Sequence, residues 1–284
     1  MKKKIGFVDL FIDEWHANNY PAWFRSQPGS EKFELGYAWQ AEQRDGLKSL
    51  TEWCQAFEMC PAGSIEEVVE KSDAICILAP ANPEVHERLA QIPLRSGKPV
   101  YIDKPFAPDG ETAERIFALA EEYHTPLMSS SALRYGDELR NIRKEKFAAG
   151  NALSVSTTGG GRSFDEYGIH QLEMIVSTLG TGAERVMQLA DGPVKHLAIG
   201  YGDGRTATAS WHCDMPFTAR ISDAEKSVLV PDCSNMFENL IADMMTFFET
   251  GVSPVPKAET LEIARILGVS LQALKTPGKW IDLK

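Results

Sequence analysis

Residues 72–107 read SDAICILAPANPEVHERLAQIPLRSGKPVYIDKPFA. The run from Ala74 to Ala79 is apolar without alternation. That pattern belongs to a strand covered on both faces, the usual condition of a parallel sheet. Residues 82–97 have helical spacing, with Pro93 expected to shorten the helix and Gly97 to end it. PVYID (99–103) is a second strand. Strands separated by a helix in this way indicate a parallel sheet.

Working outward, the same alternation continues. KIGFV (4–8) and KFELGYAW (32–39) read as strands, and residues 46–57 have helical spacing. SIEEVVEKS (64–72) carries Ser64 three residues before Glu67, a capping signature. Residues 109–124 form an amphipathic helix with Ile116, Leu119 and Ala120 on one side, followed by a strand over 125–131. The expectation is an α/β, Rossmann-like, doubly wound parallel sheet over residues 1–128.

Beyond that point the rhythm changes. Helices are expected over 137–150, 168–180, 235–251 and 257–278. ALSVSTT (152–158) alternates like a strand with one wet face. Residues 194–213 read as two strands around a Gly-Asp-Gly turn, and residues 217–232 as a hairpin turning at 223–226. An α+β domain with an open antiparallel sheet is therefore expected over residues 129–284.

The 284 residues include 29 Lys and Arg against 40 Asp and Glu, a net charge of −11. Such an acidic chain does not suit a nucleic acid as main partner. No apolar run reaches membrane length, and MKKKIGFVD is too short in its apolar part for a signal peptide. Five scattered cysteines form no CxxC pair, which suits reduced thiols and a cytoplasmic protein. Cys76, within the apolar run, reads as a core residue. His16, His124, His196 and His212 show no metal-ligand spacing. In a strand, His212 and Asp214 would share one face and Cys213 the other, so no metal site is expected.

Three stretches resemble the Gfo/Idh/MocA oxidoreductases: residues 72–107 with their PN…H and GKPVYIDKP segments, EYGIHQLEMIVSTLG (166–180), and the C-terminal residues 247–278. SSSALRY (129–135) resembles the strand that leaves that family's nucleotide domain. The resemblance implies NAD or NADP as cofactor, a sugar, polyol or related hydroxy compound as small-molecule substrate, and a homo-oligomer. It implies Lys104 and His170 as catalytic residues, with Glu166 in place of the family's aspartate before that histidine. It sets Asp9, Leu10, Phe11, Pro80, Asn82, His86 and Asp103 toward the cofactor. Arg134, Tyr135, Arg162 and Tyr167 become candidates for substrate contact. Lys104 and His170, one from each domain, are expected to meet in one cleft.

Each residue also has a plain reading. Lys104 ends a strand, where open α/β sheets place their ligand crevice, yet it precedes a turn proline as surface lysines do. A free lysine titrates near 10.4, so burial would have to lower it for base chemistry. Glu166 and His170 share a helix face if the helix reaches back that far, either as a tuned acid–base pair or as an ordinary i,i+4 pair. Asn82 would contact a cofactor or cap the helix after it. Arg134 and Tyr135 would face the cleft or serve as a hinge.

The first loop departs from the family. With IGFV as the strand, the turn falls on DLFIDEW (9–15), and Gly6 lies inside the strand rather than in a G-x-G-x-x-G turn. The fingerprint glycines allow close approach to pyrophosphate and helix–strand packing. Here Phe11 would crowd that approach, and Asp9, Asp13 and Glu14 bring negative charge, although Asp13 or Glu14 also suits a helix start. Glu42 is the available acid for ribose hydroxyls after the second strand. Three functions follow: an NAD(P)-dependent oxidoreductase, a relative turned to binding or regulation, and a lysine–histidine enzyme doing non-redox acid–base chemistry.

Overall fold

The computed structural model describes residues 2–147 and 151–283. Its elements in chain order are β1 (Lys3–Asp9), α1 (Trp15–Ser26), β2 (Phe33–Gln40), α2 (Leu50–Phe57), β3 (Cys60–Pro61), α3 (Ile65–Lys71), β4 (Ala74–Ile77), α4 (His86–Ala90), β5 (Val100–Ile102), α5 (Gly110–Glu122) and β6 (Leu127–Met128). There follow α6 (Asp137–Lys146), β7 (Ser154–Gly159), α7 (Phe164–Leu179), β8 (Ala183–Gln188), β9 (Lys195–Tyr201), β10 (Thr206–Trp211), β11 (Thr218–Ser222), β12 (Ser227–Val230), α8 (Met236–Thr250), α9 (Lys257–Ala273) and β13 (Ile281–Asp282). The last three residues of the helix expected over 137–150 lie outside the described residues.

Two compact units result. The first holds residues through Ala107, Thr112–Ser130 and Leu240–Val255. Its sheet runs β3-β2-β1-β4-β5-β6, with every pair parallel. The doubly wound reading is correct, and β1 is central as the order requires. Ile5, Phe7, Val8, Ile75, Cys76, Ile77, Tyr101 and Ile102 are fully buried, which explains why these strands carry apolar runs without alternation. Ser49 and Glu52 close a capping box on α2, and the Ser64 hydroxyl accepts from the Glu67 amide on α3. Between β4 and β5 the expected helix is broken as Pro93 requires, into short turns around α4.

Gly6 sits within β1, paired with Ile75. A Cβ there would meet Ser72 Oγ and Val68 Cγ1, each at 2.5 Å. The only glycine of the opening stretch therefore serves strand–helix packing against α3.

The second unit holds Pro108–Glu111, Ser131–Asn239 and Pro256–Lys284. Its sheet runs β12-β11-β7-β10-β9-β8-β13. Pairing is antiparallel except between β7 and β10, which are parallel. Helices α7 and α9 pack on one face, α7 against β7 and β10 and α9 against β8. Val155, Thr157, Ala207, Ala209, Ala219 and Ile221 point to that face and are buried. Ser156, Thr206, Thr208 and Arg220 point away and are exposed. β8 and β13, whose short polar sequences carry little apolar signal, extend the sheet beyond the strands legible in the sequence. Among the described residues no helix is long and apolar enough to cross a membrane.

Candidate functional site

The first group of candidates lies where β1, β4 and β5 end. Asp103 follows β5 and has no solvent exposure. His16 Nδ1 lies 2.5 Å from its Oδ2, and Tyr101 donates its hydroxyl to Oδ1 at 3.0 Å. The Tyr20 hydroxyl stands 3.4 Å from the same oxygen. Burial works against the charge of Asp103, but His16 outweighs it and holds the carboxyl well below the usual range. Asp103 is thus the hub of a buried network rather than a group facing a ligand.

Lys104, the next residue, donates from Nζ to the Pro80 carbonyl at 3.3 Å. That carbonyl belongs to the loop after β4, where Ala79 holds a φ of +62°. A non-glycine residue there stores strain on the order of 1–3 kcal/mol, a condition often met in loops that bind ligands. Asn82 does not cap the turn that follows; its Nδ2 donates to Glu84 Oε1 at 2.9 Å. His86 is fully buried, with Nδ1 at 3.1 Å from the Phe106 carbonyl and Nε2 at 2.6 Å from that of Leu78. Its ring clamps two loops.

The loop from β1 to α1 decides the fit of a dinucleotide. Asp9, the last residue of β1, is fully buried, and the neighbouring Leu10 and Phe11 amides act in favour of its charge. Burial, then the nearby Glu14, pushes its pKa well above the ordinary carboxylate value, toward the neutral acid. Leu10 is buried, and Phe11 lies under the Arg44 guanidinium at 3.7 Å. Asp13 accepts from the Lys48 amide at 2.9 Å and from Asn18 Nδ2 at 2.9 Å. Glu14 is the residue that caps α1. Its Oε2 accepts from the His16 amide at 2.8 Å and its Oε1 from the Ala17 amide at 2.5 Å. In a dinucleotide fold those amides face the pyrophosphate. Here an internal carboxylate holds them, so this end of the crevice does not fit a pyrophosphate. Glu42, the candidate for ribose hydroxyls, is exposed and lies 3.8 Å from Arg44.

The second group lies in the other unit. α7 extends back through Glu166, so Glu166 and His170 do share a helix face. Glu166 nevertheless pairs with Arg162, at 2.7 Å and i,i+4 spacing. The partner of His170 Nδ1 is the Ser131 hydroxyl at 2.6 Å. The Ser131 amide in turn donates to Glu173 Oε1 at 3.0 Å. The rings of Tyr167 and Phe217 each stand 5.5 Å from the imidazole, edge-on. Tyr167 owes its place to Gly161: a Cβ there would meet the ring at 2.2 Å, and the φ of +131° suits glycine.

Ser131 and Glu173 were not legible as site residues. Ser131 is the last of three serines, and Glu173 looked like one acid on a helix. Arg134 is 7% exposed and donates to Glu173 Oε2 at 2.6 Å and Glu259 Oε2 at 2.5 Å. Burial opposes its charge, but the two glutamates outweigh that and keep the guanidinium charged. Tyr135 is buried, with Arg140 over its ring at 4.7 Å. Arg162 is exposed. Of the substrate candidates, Tyr167 stands with its ring edge-on to His170.

The expected strand geometry of WHCD needs correcting. β10 ends at Trp211, and the next three residues turn. The donor atoms of His212, Cys213 and Asp214 therefore gather within 4.8 Å of one another. His212 Nδ1 is already bonded to Asp214. A groove of about 460 Å³, lined by Ile5, Phe24, Arg25, Phe33, Leu35 and Glu58 among others, holds none of the candidate residues.

Residues 17–131 match the family model described as an oxidoreductase family with an NAD-binding Rossmann fold. The match begins just past the Glu14 loop. UDP-N-acetylglucosamine 3-dehydrogenase of Acidithiobacillus ferrooxidans is 28% identical over 140 residues, which are 47% of this chain and 42% of that protein. The aligned part thus spans less than half the length of that relative.

Two solved structures superpose along the whole chain. Scyllo-inositol dehydrogenase of Lactobacillus casei, with bound NAD(H) and scyllo-inositol, gives a TM-score of 0.84 at 11% identity, covering 100% of this chain and 99% of that one. Myo-inositol 2-dehydrogenase of Lactobacillus plantarum gives 0.81 at 14% identity, covering 100% of both. At these identities the structures speak for the fold. Residues 17–131 are thus similar to the Gfo/Idh/MocA oxidoreductase family, and the chain as a whole has the fold of these two dehydrogenases.

Proposed function

We propose that the chain is an enzyme acting on a hydroxyl of a sugar, polyol or related compound, with His170 as general acid or base and Lys104 polarising the reacting oxygen. The observation that carries this reading is the 2.6 Å bond from Ser131 to His170 Nδ1. A ring anchored at Nδ1 exchanges its proton through the other nitrogen, in a fixed direction. Tyr167 borders the same ring and is the substrate contact we favour. The named activities of the relatives, dehydrogenation of inositols and of a UDP-sugar, support the substrate class. The family description and the NAD(H)-bound relative support NAD or NADP as cofactor. Free cysteines throughout suit a reducing, cytoplasmic setting.

A second reading is favoured by Glu14. Because the α1 end does not fit a pyrophosphate, the groups left to act are Lys104 and His170, which move protons. That is acid–base chemistry without a dinucleotide, such as epimerisation or elimination.

One experiment separates the two. The protein is incubated with NAD+ or NADP+ and a panel of inositols and UDP-sugars, and reduced nicotinamide is followed by absorbance. In parallel, keto-inositols and keto-sugars without cofactor in D2O are followed by NMR for exchange of the hydrogen on the carbon beside the carbonyl. Nicotinamide reduction that disappears in Lys104→Ala and His170→Ala supports the first reading. Cofactor-free exchange lost in the same variants supports the second. Activity retained in both variants refutes the assigned roles.

A further inference from the structure

The N-terminus of α1 supplies more than a mismatch. Glu14 reaches its two amides with both oxygens, so one carboxylate closes two donors at once. The loop behind it is pinned. The Ile12 amide donates to Gln40 Oε1 at 3.0 Å, the Glu42 amide donates to the Leu10 carbonyl at 2.8 Å, and the Lys48 amide donates to Asp13 at 2.9 Å. The His16 side chain, on the same first turn, is committed to Asp103. Asp9 stands behind the loop; burial raises the pKa of its carboxyl well above the ordinary value and raises that of Glu14 as well, where His16 and the Ala17 and His16 amides act in the opposite direction.

We propose that Glu14 is a specificity-determining residue: it competes from within the chain for the α1 amides that the pyrophosphate of a dinucleotide would need, and so turns this end of the crevice away from that group. An incoming pyrophosphate must displace a carboxylate already seated on two amides, then face its charge at short range. Hydrogen bonds from amides to a carboxylate are charge-assisted and short, which makes the internal competitor effective. The proposal deepens the second reading of function and reads binding alone, so it stands or falls separately from any turnover.

The test is calorimetric titration of the full chain with NADH and, separately, with inorganic pyrophosphate. Native protein is compared with Glu14→Ser and Glu14→Gln. Serine caps a helix while leaving space at its end, and glutamine keeps the bulk but loses the charge. NADH affinity is expected to rise about tenfold or more in Glu14→Ser and by a smaller factor in Glu14→Gln. Affinities within twofold of native in both folded variants would overturn the proposal. A second measurement needs no variant. In amide-resolved NMR of the native protein, the His16 and Ala17 N–H signals should stay in place on adding NADH or pyrophosphate. Saturable shifts of those two amides at micromolar ligand would overturn the proposal as well.

Discussion

Replacing His16 by alanine removes the partner of a carboxylate that has no contact with water. The His16–Asp103 contact is 2.5 Å, and Asp103 is fully buried. Breaking a buried pair from one side costs about 3–5 kcal/mol, because the survivor keeps its desolvation penalty. The Tyr101 hydroxyl at 3.0 Å still serves Oδ1, which argues for the lower end, about 3 kcal/mol. Urea unfolding at neutral pH should show that loss in His16→Ala. The double variant His16→Ala/Asp103→Asn should lose less than the sum of the two single changes.

The pH dependence carries a sign. In the native protein the folded pKa of Asp103 lies below its unfolded value near 3.8, so its contribution is full above that value and fades as pH falls through the folded pKa. Without His16, burial is the largest influence and is opposed chiefly by Lys104, so the carboxyl pKa is expected to rise. Stability of the variant should then decline as pH climbs above the unfolded value. A loss under about 1 kcal/mol, additive single changes, or an unchanged pH profile would refute the account.

Gly6→Ala forces a methyl against Ser72 Oγ and Val68 Cγ1 and should cost about 1–3 kcal/mol in thermal or urea unfolding; an unchanged midpoint would show that α3 can give way. Ser131→Ala should lower kcat at least about tenfold on whichever substrate is found, shift its pH profile and leave KM nearly unchanged; a kcat within twofold of native would remove Ser131 as the positioning residue of His170. The small, polar outer face of the second sheet, with Ser156, Thr206 and Thr208, is expected to pack against a second copy of the chain. Sedimentation should then show an oligomer, and a monomer at micromolar concentration would contradict this.

The parallel sheet was legible because burial on both faces writes uninterrupted apolar runs, as in AICILA. The hairpin at 223–226 and the cap at Ser64 were equally plain, each resting on a local rule. β8 was not, since AERVMQ offers one buried valine among charged neighbours. Of the candidate site, context singles out His170 and Lys104, while the i−4 spacing points to Glu166 as the partner of His170, and Glu166 instead binds Arg162. Ser131 lies 39 positions away in sequence, and no spacing rule reaches that far. The acids of the first loop were recognised as a group, yet only coordinates distinguish the buried Asp9 and the loop-tying Asp13 from Glu14, the helix cap.

The return of Leu240–Val255 to the first unit has a consequence for how the chain is made. Phe248 stacks on Phe24 with ring centroids 6.4 Å apart, and Lys3 Nζ donates to the Phe248 carbonyl at 2.9 Å. On a ribosome that delivers residues in order, the first domain waits for a segment that emerges after most of the second. Until then the flank of α1 around Phe24 stays bare, a surface for chaperones to hold. An excised fragment ending near residue 130 would carry the same exposed flank permanently, so cutting the protein at its apparent boundary would not yield an independent domain.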